Sequence, residues 1–550
     1  MRPDIILATV NSKWIHPSLA LRLLKANLGP LEERCEIIEF ALRQPLQEKV
    51  TQILKARPRI LGLSVSIWNH LATLELLEAL DRKWNGFSSF LPRTKAQRHK
   101  GNEKRKKNPG VSNYLAQPNS ISQRDAFKPV IILGGPEVSW LPPDAGIFRY
   151  ADFIVRGEGE HAFRRICEGI LAGEDTGNKN SLQKENCFHG QSGNVQEENN
   201  CLHRQSSNVQ EQVDINEIKT AYHLYSDEDL RRKLIYVESS RGCPFNCEFC
   251  SSCGTKVRYF PLDQFLAEMD TLIERGVGTF KFLDRTFNLD IDRAVKIMKF
   301  FLERIEKRSG VSHNPLVVHF EMVPSNFPQQ LLETLSRFPP GSLRLEIGIQ
   351  TLNTEVSQRI CRPSNPEGNL ALRARRRVPE KELKVLRYLR EKTNAIIHAD
   401  LIAGLPGEDI VSFGSGFDRL WAALSGREDA HTGTVHPRVE IQLGILKLLP
   451  GAPIARHSET FAMRYNSLPP YEVMETAALP EHDLQRIKNF ARFWELIVNR
   501  GLLDFDALEV PVFDNFMTLA DSLLVRFGRN WGIDKRELLE ELKRKRHRSD

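Results

Sequence analysis

Residues 241–250 read RGCPFNCEFC and contain three closely spaced cysteines. Cys243, Cys247 and Cys250 are separated by three and then by two residues, directly after a predicted strand. Three thiolates on one short loop can hold three irons of a cubane cluster, which leaves the fourth iron without a protein ligand. The spacing therefore predicts a 4Fe-4S site with one open iron.

A tetrahedral zinc site is the alternative interpretation of the same cysteines. Structural zinc takes four protein ligands, and Cys253 continues the run with a further two-residue spacing. The position of the loop, immediately after a strand, favours the cluster. The roles of Cys253 and of Cys361, which follows a later strand, stay open.

A regular series of strands and helices begins at residue 234 and surrounds the cysteine loop. The predicted strands are 234–238, 279–284, 316–321, 342–349, 395–402 and 440–446. Six such strand–helix units predict a partial TIM-type barrel, in which the chemistry takes place at the carboxyl ends of the strands.

With this cysteine spacing, and with the aromatic Phe249 before the last cysteine, the sequence resembles the radical S-adenosylmethionine (SAM) superfamily over about residues 234–455. The resemblance implies that the open iron binds the amino and carboxylate groups of SAM. It also implies that an electron delivered to the cluster cleaves SAM and yields a 5′-deoxyadenosyl radical.

The resemblance implies further SAM contacts on the later strands. The expected contacts are Phe249, Asp284, Glu346, Gln350, Gly404 and Gly407. Glycines let the backbone approach adenine and ribose closely, and carboxylates accept hydrogen bonds from hydroxyl or ammonium groups. The alternative is that Asp284 and Glu346 are barrel-interior residues without a ligand, and that the turn at 404–407 simply ends a strand.

The first 172 residues also alternate strands with helices. The predicted strands are 4–10, 35–40, 60–66, 130–133 and 151–155. This order is typical of a parallel, doubly wound sheet, in which ligands bind beyond the carboxyl ends of the strands. The expected fold class is therefore α/β, with a flavodoxin- or Rossmann-like N-terminal domain, a central (βα)6 barrel and a mostly helical C-terminal region.

A doubly wound domain ahead of such a barrel resembles the cobalamin-binding radical SAM proteins. The matching pieces are SVSIW (64–68), GGPEV (134–138) and RGEGE (156–160). The resemblance implies cobalamin contacts at Ser64, Trp68, Gly134, Gly135, Gly157 and Glu158. Glycine-rich strand ends can accept the flat corrin and its nucleotide tail without side-chain clashes.

The sequence departs from many cobalamin proteins at the lower axial ligand. It has no Asp-x-His-x-x-Gly sequence, and His16 is the nearest loop histidine, in a context that does not match. Whether cobalamin has a protein ligand here stays open. The alternative is a domain of the same fold that only supports the barrel.

Four regions are expected along the chain. They are a cobalamin-binding-like domain (1–172) with a basic, disordered insertion (88–127), a low-complexity linker (173–230), the barrel (231–455) and a helical region (456–550). The linker contains a repeat, NCFHGQSGNVQE (186–197) and NCLHRQSSNVQE (200–211). Its two Cys-x-His units have an unusual spacing for zinc, which favours a duplicated linker without function.

Composition limits the classes of protein further. The chain has 41% hydrophobic and 27% charged residues and a formal net charge of +7, with basic runs at 93–107 and 543–548. Basic runs can bind nucleic acid, but solvated surface is the favoured interpretation. No uninterrupted apolar run is long enough to span a membrane, and the N-terminus reads as a strand. We expect a cytoplasmic protein with reduced cysteines.

The resemblances together imply cobalamin-dependent methyl transfer from SAM to an unactivated carbon of an unknown small molecule. The expected electron donor is a flavodoxin or a ferredoxin. The alternatives are a cobalamin-dependent rearrangement or cyclisation, a tRNA-modifying methylthiotransferase and a non-catalytic metal-binding protein. Methylthiotransferases need three further cluster cysteines, for which the upstream candidates are Cys35, Cys167, Cys187 and Cys201.

Overall fold

The chain forms two parallel sheets with helices packed on them, and the predicted α/β fold class is confirmed. The computed structural model describes residues 2–85, 128–173, 207–211, 213–308, 316–362, 379–425, 439–503, 508 and 510–546. The predicted basic insertion at 88–127 lies outside the described residues, as do Cys187 and Cys201 in the repeat.

The N-terminal sheet is parallel and doubly wound. Its strands are β1 (Ile5–Asn11), β2 (Cys35–Ala41), β3 (Ile60–Ser64), β4 (Val130–Gly134), β5 (Phe153–Gly157) and β6 (Ser207–Glu211), in the spatial order β2-β1-β3-β4-β5-β6. Four helices cover the two faces: α1 (Leu19–Ala26), α2 (Leu46–Ala56), α3 (His70–Trp84) and α4 (Glu160–Ala172). The central strands are near-continuous apolar runs because both faces of the sheet are buried.

The expected linker is more structured than its composition indicates. Within 173–230, β6 pairs in parallel with β5 along the edge of the N-terminal sheet. Beyond it, Val213, Ile218 and Tyr222 are buried against the barrel, and α5 (Asp227–Arg232) begins at a Ser226 capping box. Apolar residues spaced among polar ones supply this packing, so the linker prediction is wrong for 207–230.

The second sheet curves into a partial barrel. It contains β7 (Ile235–Val237), β10 (Thr279–Phe282), β11 (Val317–Met322), β12 (Leu343–Gln350), β13 (Ile396–Ala403) and β14 (Val439–Ile445), in the order β14-β13-β12-β11-β10-β7. All five pairings are parallel. The six predicted strands are thus present, and their carboxyl ends form one rim.

Helices connect the barrel strands and cover the outside of the sheet. They are α6 (Leu262–Glu274), α7 (Ile291–Arg308), α8 (Gln329–Ser336), α9 (Thr354–Arg359), α10 (Pro379–Lys392) and α11 (Ile410–Leu424). Their apolar faces bury a cluster of phenylalanines, in which Phe282 contacts Phe287, Phe301 and Phe320. A two-stranded hairpin, β8 (Ser240–Arg241) and β9 (Arg258–Tyr259), brackets the cysteine loop.

The C-terminal region packs beside α11 and the last barrel strand. It contains the short strands β15 (Arg464–Tyr465) and β16 (Val473–Glu475), and the helices α12 (Glu481–Trp494), α13 (Val512–Phe527) and α14 (Lys535–Arg546). Phe417 of α11 meets Phe490 and Trp494 of α12 edge to face, which joins this region to the barrel core. Within the described ranges, no helix is long and apolar enough to cross a membrane.

Candidate active site

The three cysteines lie together at the rim of the barrel. Cys247 is buried, and Cys243 and Cys250 are half-buried against the same apolar cluster of Phe245 and Val323. Backbone hydrogen bonds shape the loop, from Cys250 N to Cys247 O at 3.0 Å and from Thr255 N to Cys243 O at 2.9 Å. The local structure thus presents three thiols from one loop in a sheltered place.

A glycine makes the entry into this loop possible. Gly242 has a φ of +102°, and a Cβ there would collide with the carbonyl oxygen of Lys256. Only glycine takes this backbone conformation at so close an approach without strain. The Arg-Gly-Cys sequence therefore has a structural reason that is independent of any ligand.

Glu248 anchors the cysteine loop to the rest of the barrel. Its buried carboxylate accepts hydrogen bonds from Arg456 Nε at 3.1 Å, His457 Nε2 at 2.7 Å and Cys361 Sγ at 3.1 Å. Its backbone N–H also donates to Ile360 O at 3.1 Å. A buried carboxylate with this many donors fixes the loop rigidly, because each lost contact would leave a desolvated charge.

Arg362 lies next to the thiol of Cys247. Its Nη1 is 3.3 Å from Cys247 Sγ, and its Nη2 donates to the carbonyl of Gly348. Cys361, with a left-handed φ of 51°, turns the chain so that Arg362 can reach inward. A donor beside a ligand sulfur stabilises the thiolate and tunes the potential of an iron–sulfur cluster.

The cysteines suit a cluster better than a single ion. In the part of the chain that the structure describes, no three His, Cys, Asp or Glu side chains converge as ligands of one metal ion would. A mononuclear zinc site needs ligands that meet at one point, whereas each thiolate of a cubane binds a different iron. Three thiols on one loop, with Arg362 beside the thiol of Cys247, are a donor set that fits a 4Fe-4S cluster held by Cys243, Cys247 and Cys250.

The barrel interior is polar, and its side chains lie in layers. Lys281 pairs in register with His319, and one layer nearer the rim Glu321, Glu346 and His398 are neighbours on adjacent strands. Each strand alternates buried apolar residues, which face the helices, with these polar ones. The interior therefore offers hydrogen-bonding groups to a molecule bound inside the barrel.

Glu346, a predicted SAM contact, is part of this interior network. Its Oε2 lies 3.1 Å from Lys281 Nζ and 3.2 Å from His319 Nε2. The close approach of His319, followed by the charge of Lys281, lowers the pKa of Glu346 to about 2 despite its burial. Glu346 is consequently a carboxylate at neutral pH, able to accept a hydrogen bond.

Asp400 was not predicted as a site residue from the sequence, but the structure leaves its buried carboxylate without a full set of hydrogen-bond partners among the residues that it describes. It lies on β13 one layer above Glu346, and its Oδ1 is buried without a hydrogen-bond partner among the described residues. Burial, followed by the nearby charges of Glu346 and Glu321, raises the pKa of Asp400 well above its ordinary value. An orphaned acceptor fits a bound molecule that carries hydroxyl or ammonium groups.

Asp284 and Phe249 have structural environments that differ from each other. The carboxylate of Asp284 accepts from Ser239 N at 2.9 Å and from the hydroxyls of Ser239 and Ser240 at 2.7 and 2.6 Å. It is fully buried and supports the strand that leads into the cysteine loop. Phe249 is half-buried beside Cys250 and lines a cavity at the barrel edge.

The other predicted SAM contacts lie on the rim. Gln350 has a φ of 70°, at a bulge in the pairing of β12 with β13, and such strain in a residue other than glycine is typical of functional positions. Gly404 and Gly407 instead face protein side chains. A Cβ at Gly404 would meet Val473, and one at Gly407 would meet Arg359.

A cavity of about 320 Å³ opens at the carboxyl ends of the N-terminal strands. We call it the N-terminal cavity. It lies between the sheet and the helices α1 and α4. Five of the six predicted cobalamin contacts line it: Ser64, Gly134, Gly135, Gly157 and Glu158. Its volume is at the lower end of the range of about 300–1,000 Å³ for ligand pockets.

The sixth predicted contact, Trp68, lies outside this cavity on the same edge of the sheet, with 56% of its surface exposed. Other large apolar side chains that follow β1 to β4 are exposed with it: Trp14, Ile15, Leu42, Leu71 and Trp140. Several exposed apolar side chains at a ligand-binding edge are typical of a binding surface. This apolar rim and the cavity beside it fit a flat, apolar group with a tail.

Charged residues join the N-terminal cavity to the cysteine loop. Arg241 Nη2 lies 2.7 Å from Glu160 Oε1 and 2.7 Å from Glu238 Oε1, and all three residues line the cavity. Arg258, on the paired strand β9, donates to Glu158 Oε2 at 3.0 Å. Burial alone would raise the pKa of Glu158, but the hydrogen bond from Arg258 and the charge of Arg241 hold it below its ordinary value.

Three remaining candidates, His16, Cys35 and Cys167, have structural roles. His16 Nδ1 lies 2.8 Å from the hydroxyl of Tyr236 on β7, so this ring connects the N-terminal domain to the barrel. Cys35 and Cys167 are buried in the core of the N-terminal sheet, and burial raises the pKa of the Cys35 thiol to about 12.

The sequence analysis did not identify Lys281, His319 and Asp400 as site residues. Polar residues alternate with apolar ones along the barrel strands, and this pattern could have predicted that the three side chains face the interior.

Two solved structures share this fold. TsrM from Kitasatospora setae, a radical S-adenosylmethionine methyltransferase solved with cobalamin and a 4Fe-4S cluster, is 16% identical, with a TM-score of 0.51 over 84% of this chain and 76% of that chain. OxsB, a cobalamin-dependent S-adenosylmethionine radical enzyme solved with aqua-cobalamin and S-adenosylmethionine, is 15% identical, with a TM-score of 0.58 over 99% and 75%.

Curated relatives match parts of the chain. An uncharacterized methyltransferase of Pyrococcus horikoshii is 30% identical over 30% of this chain. The 2-(S-pantetheinyl)-carbapenam-3-carboxylate methyltransferase of Streptantibioticus cattleyicolor is 23% identical over 65% of it. The ribosomal protein uS12 methylthiotransferase of Chlorobium phaeovibrioides is 25% identical over 34% of it. The matches span 36%, 48% and 41% of these relatives' lengths, respectively.

Residues 237–415 match the family model of the radical SAM superfamily. This range contains the cysteine loop, the polar interior and four of the six barrel strands, β10 to β13, in full. The chain therefore carries a radical SAM domain, within an α/β architecture that it shares with cobalamin-dependent radical SAM enzymes.

Proposed function

We propose that this chain is a cobalamin-dependent radical SAM methyltransferase that acts on an unactivated carbon of a small molecule. One observation carries the proposal. The N-terminal cavity opens next to the cysteine loop. Arg241 lines this cavity and is also the first residue of the cysteine loop. Two of the curated relatives are methyltransferases by name, which agrees with this chemistry.

We assign the residues to two sites, one for the cluster with SAM and one for cobalamin. When bound, the cluster with SAM would supply a 5′-deoxyadenosyl radical, and cobalamin would supply the methyl group. Cys243, Cys247 and Cys250 would hold the cluster, and Glu248 keeps their loop in place. Glu346 and Asp400 lie in the polar interior of the barrel and would orient the hydroxyl and ammonium groups of SAM.

The apolar surroundings serve the same chemistry. Phe245, within the cysteine loop, and Val323 bury Cys247 in an apolar cluster, and the apolar rim follows strands of the N-terminal sheet. A dry, covered site protects a radical from water and oxygen. We further propose that a flavodoxin or a ferredoxin delivers the electron.

The described cysteines do not support methylthiolation. That reaction requires a second set of three cluster cysteines, and Cys35 and Cys167 are buried thiols within the core of the N-terminal sheet. Cys187 and Cys201 lie outside the described residues. The N-terminal cavity, in contrast, would bind cobalamin in a cobalamin-dependent enzyme.

The experiment that tests the function follows methyl groups. The protein is purified without oxygen, reconstituted with iron, sulfide and hydroxocobalamin, and incubated with methyl-labelled SAM, a reductant and fractionated small molecules. We expect 5′-deoxyadenosine and label in a small-molecule fraction. Formation of 5′-deoxyadenosine without label transfer in any fraction would favour rearrangement or cyclisation. Absence of both products would contradict the proposal.

A further inference from the structure

A second cavity, of about 610 Å³, lies at the open edge of the barrel. We call it the edge cavity. Its walls come from the cysteine loop, from the end of β14 with the loop that follows, and from α12. The residues that matter to its chemistry are Phe249, Leu443, Ile445, Lys447, Lys488 and Arg492. Phe249 immediately precedes Cys250, so an occupant of the cavity would lie against the cysteine loop.

The edge cavity exists because the C-terminal region covers the last strand only in part. Asn499 donates to the carbonyl of Ile441 at 3.1 Å and covers the beginning of β14. Farther along, Val473 N donates to Leu446 O at 2.8 Å. Between these two contacts, Leu443, Gly444 and Ile445 open on the cavity.

The charges around the cavity do not balance. Lys488 is neutralised by Glu472, at 3.1 Å, and Glu495 is occupied by Arg500, at 3.2 Å. Lys447 and Arg492 form no ion pair within the described ranges. Arg492 donates its Nε–H only to the carbonyl of Asn530, at 3.2 Å. The lining thus carries three cations and two carboxylates, an excess of one positive charge, and its other walls are mainly apolar.

We propose that the edge cavity binds an amphipathic, anionic small molecule, with its carboxylate, phosphate or sulfonate on Lys447 and Arg492 and its apolar part against Leu443, Ile445 and Phe249. This proposal rests on the proposed function, because it assigns the cavity to the methyl acceptor. A guanidinium binds such anions through paired hydrogen bonds, and the apolar walls provide affinity for the remainder of the molecule.

Binding is tested on the reconstituted, cobalamin-loaded protein with 8-anilinonaphthalene-1-sulfonate, an apolar anion, by isothermal titration calorimetry in the presence of saturating SAM. The variants Lys447→Gln and Arg492→Gln should each weaken binding about tenfold, or about 1.4 kcal/mol, since each removes a charged hydrogen-bond donor. The matched controls Lys384→Gln and Arg387→Gln, on the exposed side of α10, should leave it unchanged.

A second variant blocks the cavity without removing charge. A Cβ at Gly444 would meet only Leu401 O, at 3.6 Å, so Gly444→Phe can fill the cavity while the strand is kept. We expect it to abolish binding of the sulfonate and of neutral N-phenyl-1-naphthylamine. Gly278→Phe, at a site with open space, is the control. The charge variants should leave the neutral probe unaffected.

Two results would overturn the proposal. One is binding of the probe only when SAM is left out, which would assign the cavity to SAM. The other is equal affinity of the sulfonate for the charge variants and their controls. In the methyl-labelling experiment, the labelled product should bind an anion-exchange resin. A neutral labelled product would contradict the anionic acceptor and leave methyl transfer intact, whereas sulfonate binding without labelled product would contradict methyl transfer alone.

Discussion

Arg241 and Glu160 lie 2.7 Å apart, Nη2 to Oε1, and this buried ion pair joins the cysteine loop to the N-terminal cavity. Arg241 precedes the first loop cysteine by two residues, and Glu160 begins α4 in the other domain. Glu238 shares the same guanidinium, and burial raises its pKa in spite of that pairing. The two proposed cofactor sites therefore depend on one arginine.

Replacing this arginine should destabilise the protein strongly. Arg241→Met leaves Glu160 and Glu238 buried without their cation, and the loss of one partner of a buried ion pair costs about 3–5 kcal/mol. Urea unfolding of the purified protein measures it. Arg232→Met is the control, because its pair with Glu228 is exposed and contributes about 0.3–0.5 kcal/mol. Similar small losses in both variants would show that the buried network is not needed.

The cysteines should separate into ligands and a bystander. Alanine at Cys243, Cys247 or Cys250 removes a thiolate from the proposed cluster, so we expect little bound iron and no SAM cleavage after reconstitution. Cys253→Ala should keep its iron and sulfide, since Cys253 lies beyond the three-cysteine spacing. The iron and sulfide contents of the four reconstituted variants are measured and compared with those of the wild-type protein. Loss of the cluster in Cys253→Ala would contradict the assignment of ligands.

A side chain placed in the N-terminal cavity should exclude cobalamin. Gly134 lines this cavity, and a Cβ there would meet only Val155, at 3.6 Å or more. Gly134→Leu therefore fills the cavity with little strain, and we expect loss of retained corrin with an unchanged cluster. Gly146→Leu, in open space, should retain both. Full corrin retention by Gly134→Leu would place cobalamin elsewhere.

The sequence predicts the sheets well because both are built from regular apolar runs. Each barrel strand was expected within about two residues of its observed bounds, and five predicted cobalamin contacts meet in one cavity since glycine-rich strand ends share an edge. By contrast, β6 was missed because its sequence, SNVQE, is polar. It forms at the open edge of β5, where backbone pairing supplies the stabilisation.

Ion pairs and contacts between residues far apart in the chain could not be predicted from the sequence. Glu160 and Arg241 belong to different domains, and only the fold brings them together. Likewise, the sequence cannot tell a glycine that admits a ligand from one that admits protein. Gly404 is approached by Val473 and Gly407 by Arg359, both far along the chain.

Trp68 should contribute to cobalamin binding and little to folding. Its side chain is exposed on the apolar rim, so Trp68→Ala should leave the unfolding free energy nearly unchanged. Burial of a large apolar side chain by a ligand contributes about 1.5–3 kcal/mol, so the Kd for cobalamin should rise at least about tenfold. Trp531→Ala, also exposed, is the control. Equal Kd values would remove Trp68 from the site.

Glu248 should control the assembly of the cysteine loop. Glu248→Gln keeps the size of the side chain but removes the charge that faces Arg456 and His457. We expect a loss of about 1–3 kcal/mol in unfolding free energy and slower cluster reconstitution. The exposed Glu459, in the same segment as Arg456, provides the control variant Glu459→Gln. Reconstitution at the wild-type rate in Glu248→Gln would refute this role.

Cobalamin dependence is tested most directly by the UV–visible spectrum of the protein after anaerobic reconstitution with iron, sulfide and hydroxocobalamin, followed by desalting. We expect corrin bands, retained in proportion to protein, beside the absorption of the iron–sulfur cluster. A cluster spectrum without retained corrin would contradict cobalamin dependence and would leave a radical SAM domain that acts without cobalamin.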